Sequence, residues 1–431
     1  MIEHIEAYLK KKVDSYEIFY ENIEVLSVGT QRGQADNVSE GTTEGIGVRV
    51  EIKKKIGMAS TLNLKRYKEC CDTALKFSKI NSPDKHFVKF QEKQSYKPIK
   101  SLQKSLLNFN FEDAKTFCEN VKKEVQKHNK EIKIPITNYT KLLSHIHIIN
   151  SEGVDAERIS GINSRFHELL LGENSLGFSD ESLSPLDPLK VAPEVNRLLL
   201  LKKKSNIHTG IMPILLHPEA LSDLMSESLH FSFDAENIFF KKSILASQLG
   251  ERVFDKKISL TDDATLPGYI HSRSFDDEGA ASQKNILIEK GVVKNFLYDS
   301  YYAHAAKKKS TANASRTVTS TPTISPSNLL LSPGTSSHEE LLRTIDRGVY
   351  VKGLMGLHTM DASTGDFSLN ISEGQLIEKG ELKGSLRKTM IAGNFFTLLK
   401  EVEALGEKIE YTGQGHYLPH LLAKNVKVIS S

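Results

Sequence analysis

The pentapeptide Leu-Ile-Glu-Lys-Gly occurs twice, at residues 287–291 and 376–380, and an apolar pattern resumes directly after each glycine. A Lys-Gly pair between apolar runs marks a tight turn, so each copy predicts a β-hairpin. Two such hairpins imply a sheet-rich second half. Ile211–Leu216, stopped by Pro218, predicts its opening strand, and Glu219–Phe240 predicts a helix after it. Leu421–Ile429 predicts the last strand. Thr317–Gly334, rich in Ser, Thr and Pro, predicts an extended loop with edge strands only.

The first half alternates helix and strand signals. Ile2, Ile5, Leu9 and Val13 fall at helical spacing, as do Leu64, Tyr67, Cys71, Ala74 and Leu75. Ser15–Val28, Gly45–Ile52 and Lys141–Ile149 predict strands, the second meeting Met58–Thr61 through a turn whose glycine supplies the positive φ. Phe111–Lys130 predicts a charged helix with Glu112 and Asp113 at its favourable end. Ser184–Pro188 is a turn cluster and Lys202–Asn206 a polar linker. An α+β chain follows, with an N-terminal α/β portion of mixed helices and strands (1–206) before a β-rich C-terminal domain (207–431).

With 57 Lys+Arg against 54 Asp+Glu, the net charge of +3 lacks the massed basic face that nucleic acid requires. The start carries acidic residues where a signal peptide needs a basic flank. The longest aliphatic run, Leu198–Leu201, is far below the roughly 20 residues of a membrane span. The expectation is a cytoplasmic protein that engages neither nucleic acid nor membrane. Cys70, Cys71 and Cys118 form no disulfide framework or metal knuckle and read as reduced, packed thiols.

Chemistry-bearing residues concentrate in Gly353–Asn370, where glycines and hydroxyls surround His358, Asp361 and Asp366, followed by Glu373-Gly374 and Ile391-Ala-Gly-Asn394. Loops of this kind on a rigid scaffold commonly carry function. Elsewhere the candidates weaken. Gly41-x-x-x-Gly45-x-Gly47 lacks the Lys-Ser/Thr of a phosphate-binding loop and reads as a hairpin. His145 and His147 share a strand face but have no third ligand nearby, so a solvated face is expected. Glu227 and His230, three apart on a helix, read as a surface pair. Ser337-His-Glu-Glu340 reads as a capped helix start.

Gly-x-His-Thr-x-Asp-x-x-Thr-Gly-Asp-Phe-Ser, then Glu-Gly and Ile-Ala-Gly-Asn, resembles the C-terminal signature of the PmbA/TldD family. Gly45-Ile-Gly-Val-Arg49, Asn150-Ser-Glu-Gly153 and Asp276-Asp-Glu-Gly279 extend the resemblance over nearly the whole chain. Names linking this family to modulation of DNA gyrase find no support in the charge. Its peptidase members carry His-Glu-x-x-x-His on the helix after the second domain's opening strand, and a C-terminal cysteine. Two histidines and the thiolate bind zinc, and the glutamate acts as base.

With His230 on the second histidine, Met225 stands at the first and Ser226 at the glutamate. Tyr411–His420 has no cysteine, although His416 and His420 are conceivable substitutes; the competing reading puts them in the loop before the last strand. The chain thus resembles the PmbA (TldE) branch. That implies no catalytic residues and no metal of its own, with zinc expected only in a TldD-type partner. It also implies a peptide-binding subunit of a heteromeric, dimeric metalloprotease acting on unfolded or leader peptides, with a homodimer possible alone.

On that view His358, Asp361, Thr364, Asp366, Ser368 and Asn394 shape a peptide groove or subunit contact. The structural alternative for Asp366 is a turn aspartate that caps backbone amides. Two further readings stand: an autonomous hydrolase using Asp361, Asp366 and His358, and a homodimeric peptide-binding scaffold.

Overall fold

In the computed structural model, which describes residues 2–31 and 34–430, the chain builds two large sheets in succession. Among the described residues six antiparallel strands form the first. They are β1 (Ser15–Gln31), β2 (Gln34–Ile52), β3 (Lys55–Thr61), β4 (Ile136–Asn150), β5 (Asp155–Leu171) and β6 (Asn174–Ser182), in the order β3-β2-β1-β4-β5-β6.

Helices α1 (Ile2–Leu9) and α2 (Tyr67–Ile80) press Ile5, Leu9, Cys71 and Ala74 onto Ile18, Ile46 and Val48 of β1 and β2. After the short α3 (Lys104–Leu107), α4 (Phe111–His128) and α5 (Ala192–Leu200) cover Val28, Tyr139 and Leu169. A capping box starts α4: Asn110 accepts from the Asp113 amide, and the Asp113 carboxylate accepts from the Asn110 amide. All three cysteines are free and buried.

The second sheet collects β7 (Lys204–Ser205), β8 (Gly210–Leu216), β9 (Leu260–Asp263), β10 (Lys284–Glu289), β11 (Val292–Val293) and β14 (Leu329–Leu331). It continues through β15 (Arg347–Met355), β16 (Asp366–Glu378), β17 (Glu381–Leu386), β18 (Thr389–Asn394), β19 (Val402–Tyr411) and β20 (His416–Ser430). A small separate hairpin pairs β12 (Ala314–Ser315) with β13 (Thr323–Ile324). The helices here are α6 (Pro218–Phe233), α7 (Ala235–Phe239), α8 (Ser300–Ala305), α9 (His338–Arg343) and α10 (Phe395–Lys400). Leu221, Leu224, Met225 and Leu229 of α6 join Ile214 and Leu216 of β8, Val349 and Val351 of β15, and Leu421 of β20 in the main core.

Both Leu-Ile-Glu-Lys-Gly copies form the expected hairpins, β10–β11 and β16–β17, with φ of 47° and 80° at Lys290-Gly291 and 51° and 75° at Lys379-Gly380. Several local expectations need correction. In the β2–β3 hairpin, Lys53 and Lys54 themselves take positive φ, whereas Gly57 lies inside β3. A Cβ on Gly57 would fall 2.0 Å from the Ala74 carbonyl oxygen, so this glycine lets α2 approach the sheet. Lys204-Ser205 is a parallel strand beside β17 rather than free linker. The predicted 219–240 helix breaks at Asp234, whose side chain accepts from the Glu236 amide and begins α7.

The Ser/Thr/Pro-rich segment is not confined to edges, because β14 lies between β9 and β20. Its polar groups are satisfied internally: the Ser327 hydroxyl donates to Asp262, and the Asn328 amide to the Asp263 carbonyl. The final strand begins at His416 rather than at Leu421, so His416 and His420 are strand residues.

Candidate functional site

Asp361 Oδ1 accepts from the Ser363 amide (2.8 Å), the Ser363 hydroxyl (2.6 Å) and the Thr364 amide (3.0 Å), closing a turn at the tip of the glycine-rich segment. The Ser363 hydroxyl and these amides hold its carboxyl below the usual range. Gly365, at φ 80°, packs so tightly that a Cβ would meet the Phe396 ring at 2.5 Å. Asp366 accepts from the Thr364 hydroxyl (3.0 Å) and from Asn394 Nδ2 (2.8 Å), and Asn394 Nδ2 also donates to the Thr364 carbonyl (2.7 Å). Asn394 Oδ1 caps α10 through the Thr397 amide.

Of the six residues singled out in sequence, Asp361, Thr364, Asp366 and Asn394 therefore form one hydrogen-bonded group. Ser368 lies two residues along the same exposed face of β16. His358, exposed in the 3₁₀ turn Leu357–Thr359, makes no side-chain hydrogen bond among the described residues. The residue that caps amides here is Asp361; Asp366 takes a hydroxyl and a side-chain amide.

A second site lies where α6 meets the start of β20. His230 is bonded not on a helix surface with Glu227 but to His416, Nε2 to Nε2, at 2.8 Å. His416 Nδ1 lies 2.7 Å from the Ser222 hydroxyl, and Ser226 donates to the Ser222 carbonyl and to Gln414. Burial pushes His230 down to about 4; burial, then the neighbouring His230, pushes His416 down to about 3. Two neutral rings can face each other this way because one nitrogen donates while the other accepts. Ser222, Ser226 and His230 recur every four residues on one helical face, a spacing legible in the sequence; His416, 186 residues from His230, was read there only as a conceivable metal ligand, not as its hydrogen-bond partner.

These residues do not fit zinc. Met225, at the first family ligand position, is 1 % exposed and packed in the core. Ser226 replaces the base, and the two imidazoles spend their facing nitrogens on each other. Among the described residues no group of three or more His, Cys, Asp or Glu side chains is placed to hold a metal ion. His420 stacks against Tyr350 and meets the tilted ring of His338 on another part of the sheet. His338 does begin α9, with the Ser337–Glu340 capping box intact. On the first sheet, His145 and His147 pair across strands with Glu157 (2.5 Å) and Asp155 (2.7 Å).

Sequence reasoning missed a third cluster, where the two sheets meet. Arg49 binds Glu17 (2.9 Å) and Glu278 (3.0 Å), Arg316 reaches Glu17 (2.6 Å), and Arg158 reaches Asp277 (2.5 Å). Val318 donates its amide to Glu21, and a Cβ on Gly47 would strike the Val318 carbonyl oxygen at 2.8 Å. Thus Gly45–Arg49 and Asp276–Gly279, remote in sequence, form one joint. Burial raises Glu17, but Arg316 and Arg49 outweigh it and hold the carboxyl below its usual range. Burial, then Glu278, lifts Asp276 to about 7 and Asp299 to about 8.

No helix among the described residues is long and apolar enough to cross a membrane. Residues 209–430 match the family model for the PmbA/TldA metallopeptidase C-terminal domain, and residues 16–77 match domain 1 of the same family. An uncharacterized protein of Methanocaldococcus jannaschii is 31 % identical over 413 residues, 94 % of each chain. A metalloprotease of that organism is 27 % identical over 402 residues, covering 88 % of this chain and 86 % of its own. The crystal structure of TldE from Thermococcus kodakarensis superposes with a TM-score of 0.92 at 25 % identity, covering 100 % of both chains. With its α+β fold and these matches, the chain belongs to the PmbA/TldD metallopeptidase family and resembles its PmbA (TldE) members.

Proposed function

We propose that this chain is the non-catalytic, peptide-holding subunit of a heteromeric TldD/PmbA-type metallopeptidase, with zinc carried by a TldD-type partner and unfolded or leader peptides as substrates. The observation that carries the reading is the set of side chains at the family's metal position. A core-packed Met225, a hydrogen-bonded Ser226 and a mutually bonded His230–His416 pair stand where a zinc peptidase needs converging free donors. The rim of β16 supports peptide holding. Its pairing with β15 begins only at Asn370, and although the Asp366 carbonyl already accepts from the Asp361 amide, Phe367–Leu369 leave a short edge beside the Asp361 turn, and added strands bind at such edges through main-chain hydrogen bonds.

The test is metal analysis together with cleavage of a denatured polypeptide, using the purified chain with and without a TldD-type subunit. The expected result is no stoichiometric zinc and no cleavage alone, with chelator-sensitive cleavage once the partner is added. Turnover by the chain alone overturns the proposal.

A further inference from the structure

A cavity of about 260 Å³ lies between β5 of the first sheet and the loops of residues 270–273, 315 and 325–327 of the second half. Its lining has an unusual charge balance: two arginines, one histidine and six serines, with no carboxylate among them. Arg158 is already neutralised by Asp277, at 2.5 Å. Arg273 is not. Its Nη2 makes only long contacts, 3.4 and 3.3 Å, to the carbonyls of Ala312 and Ala314, it enters no ion pair among the described residues, and its Nε is buried without a partner. A buried guanidinium nitrogen left unsatisfied is costly, and a bound water or ion commonly satisfies such a group.

The hydroxyls point to the same kind of occupant. Ser160 and Ser315 make no side-chain hydrogen bond among the described residues, and Ser272 Oγ accepts from Asn328 Nδ2, leaving its own proton to donate. A fork of guanidinium N–H groups flanked by free hydroxyl donors is complementary to a small group with several acceptor oxygens and a negative charge. The guanidiniums disfavour a cation, and Leu142, Ile162, Ile270 and Pro326 supply apolar wall for the carbon part of a ligand.

We propose that this cavity binds a compact oxyanion, held by Arg273 with Ser160, Ser272 and Ser315. Two sources share that chemistry: a free phosphate, and the terminal carboxylate of a peptide. The second rests on the peptide-holding reading. His271 lines the cavity and abuts Gly415, where a Cβ would fall 2.9 Å from the ring, directly before His416. The cavity thus borders the site equivalent to the family's metal position, within reach of a chain lying there.

Isothermal titration of the full chain tests this with three probes: inorganic phosphate, a short unstructured peptide with a free C-terminus, and the same peptide as its C-terminal amide. Binding of phosphate, or of the free acid well above the amide, is expected, weakened at least about tenfold by Arg273→Gln, since charged hydrogen bonds carry such factors. Phosphate alone binding makes the source inorganic and leaves the oxyanion site standing even if peptide holding fails. Ser315→Ala removes only the hydroxyl and should weaken the same probe by about threefold, so the test survives if Arg273→Gln does not fold. If neither phosphate nor the free acid binds at millimolar concentration, if acid and amide bind alike without phosphate, or if binding is unaffected in the folded variants, the proposal is overturned.

Discussion

The glycine-rich rim at Asp361–Asp366 and the buried joint around Arg49 both gather carboxylates, yet they use them in opposite ways. At the rim the carboxylates are exposed and satisfied largely by neighbours two or three residues away, with Asn394 added at Asp366, so their work is to set a turn. At the joint, Glu17 and Glu278 are 1 % exposed and depend on an arginine from a different strand. Density of polar residues in sequence thus marks local shape, whereas perturbed electrostatics arise where distant segments meet out of water.

The sharpest way to break this contrast is Arg49→Ala. It leaves Glu17 with Arg316 alone and strips Glu278 of its guanidinium. Removing one partner of a buried pair typically costs about 3–5 kcal/mol. Urea unfolding should show a loss of that order, while Asp361→Ala leaves the midpoint near that of the parent. Comparable midpoints for the two variants would erase the distinction.

The His230–His416 pair gives the next largest effect. His416 is fully buried, so His416→Ala removes its bonds to Ser222 and His230 and opens a void, for a loss of about 2–4 kcal/mol. Its pH dependence has a definite sign. Both folded values, about 4 and about 3, lie below the ordinary 6.5, so the unfolded chain binds protons first as pH falls. The pair's contribution is complete above about pH 6.5 and disappears as pH drops through 4 and 3. In His230→Ala/His416→Ala the acid limb of the urea-midpoint profile should flatten; an unchanged limb means the pair is not its source.

Much of this was legible before the structure, and the gaps have physical causes. Hairpins announced themselves through Lys-Gly turns because turn chemistry is local, and Ile5 and Leu9 gave the first helix because one face repeats every 3.6 residues. The rim group of Thr364, Asp366 and Asn394 was visible as a motif, although Asp361's capping role was not. Long-range pairing was the blind spot. Nothing near Arg49 in sequence points to Glu278, and within the Ser/Thr/Pro-rich 317–334 the short run Leu329–Leu331 is buried mid-sheet as β14, while Asp262, Asp263 and Asn328 satisfy the polar groups around it. The beginning of β20 was missed for a related reason: glycines at 413 and 415 read as loop, but the strand starts as soon as they end.

Asp299 sharpens the joint in the opposite pH direction. Burial and Glu278 raise it to about 8, so the folded state binds the extra proton, and the site's contribution is full below about pH 4 and declines as pH rises toward 8. Asp299→Asn keeps an oxygen for the Tyr302 amide at the start of α8 but removes the titration. The variant should match the parent below about pH 4 and gain stability relative to it steadily as pH rises from about 4 to 8. A gain that is constant across pH would point to packing instead of charge.

The smallest expected effect on stability comes from Asp361→Ala, and it is the one that speaks to function. Its hydrogen bonds to Ser363 and Thr364 are exposed, so water replaces them readily and the fold should hardly register the loss. The turn, however, fixes where Thr364 lies relative to Asp366 and Asn394, and therefore how the free part of the β16 edge is presented. A groove reading expects bound peptide to weaken by about three- to tenfold with the unfolding midpoint unmoved, a split that a shape-only turn far from any ligand does not produce. Equal peptide affinity in parent and variant, measured in the complex with a TldD-type subunit, would confine the rim to architecture and move the search for the peptide path toward the arginine-lined cavity beside His271.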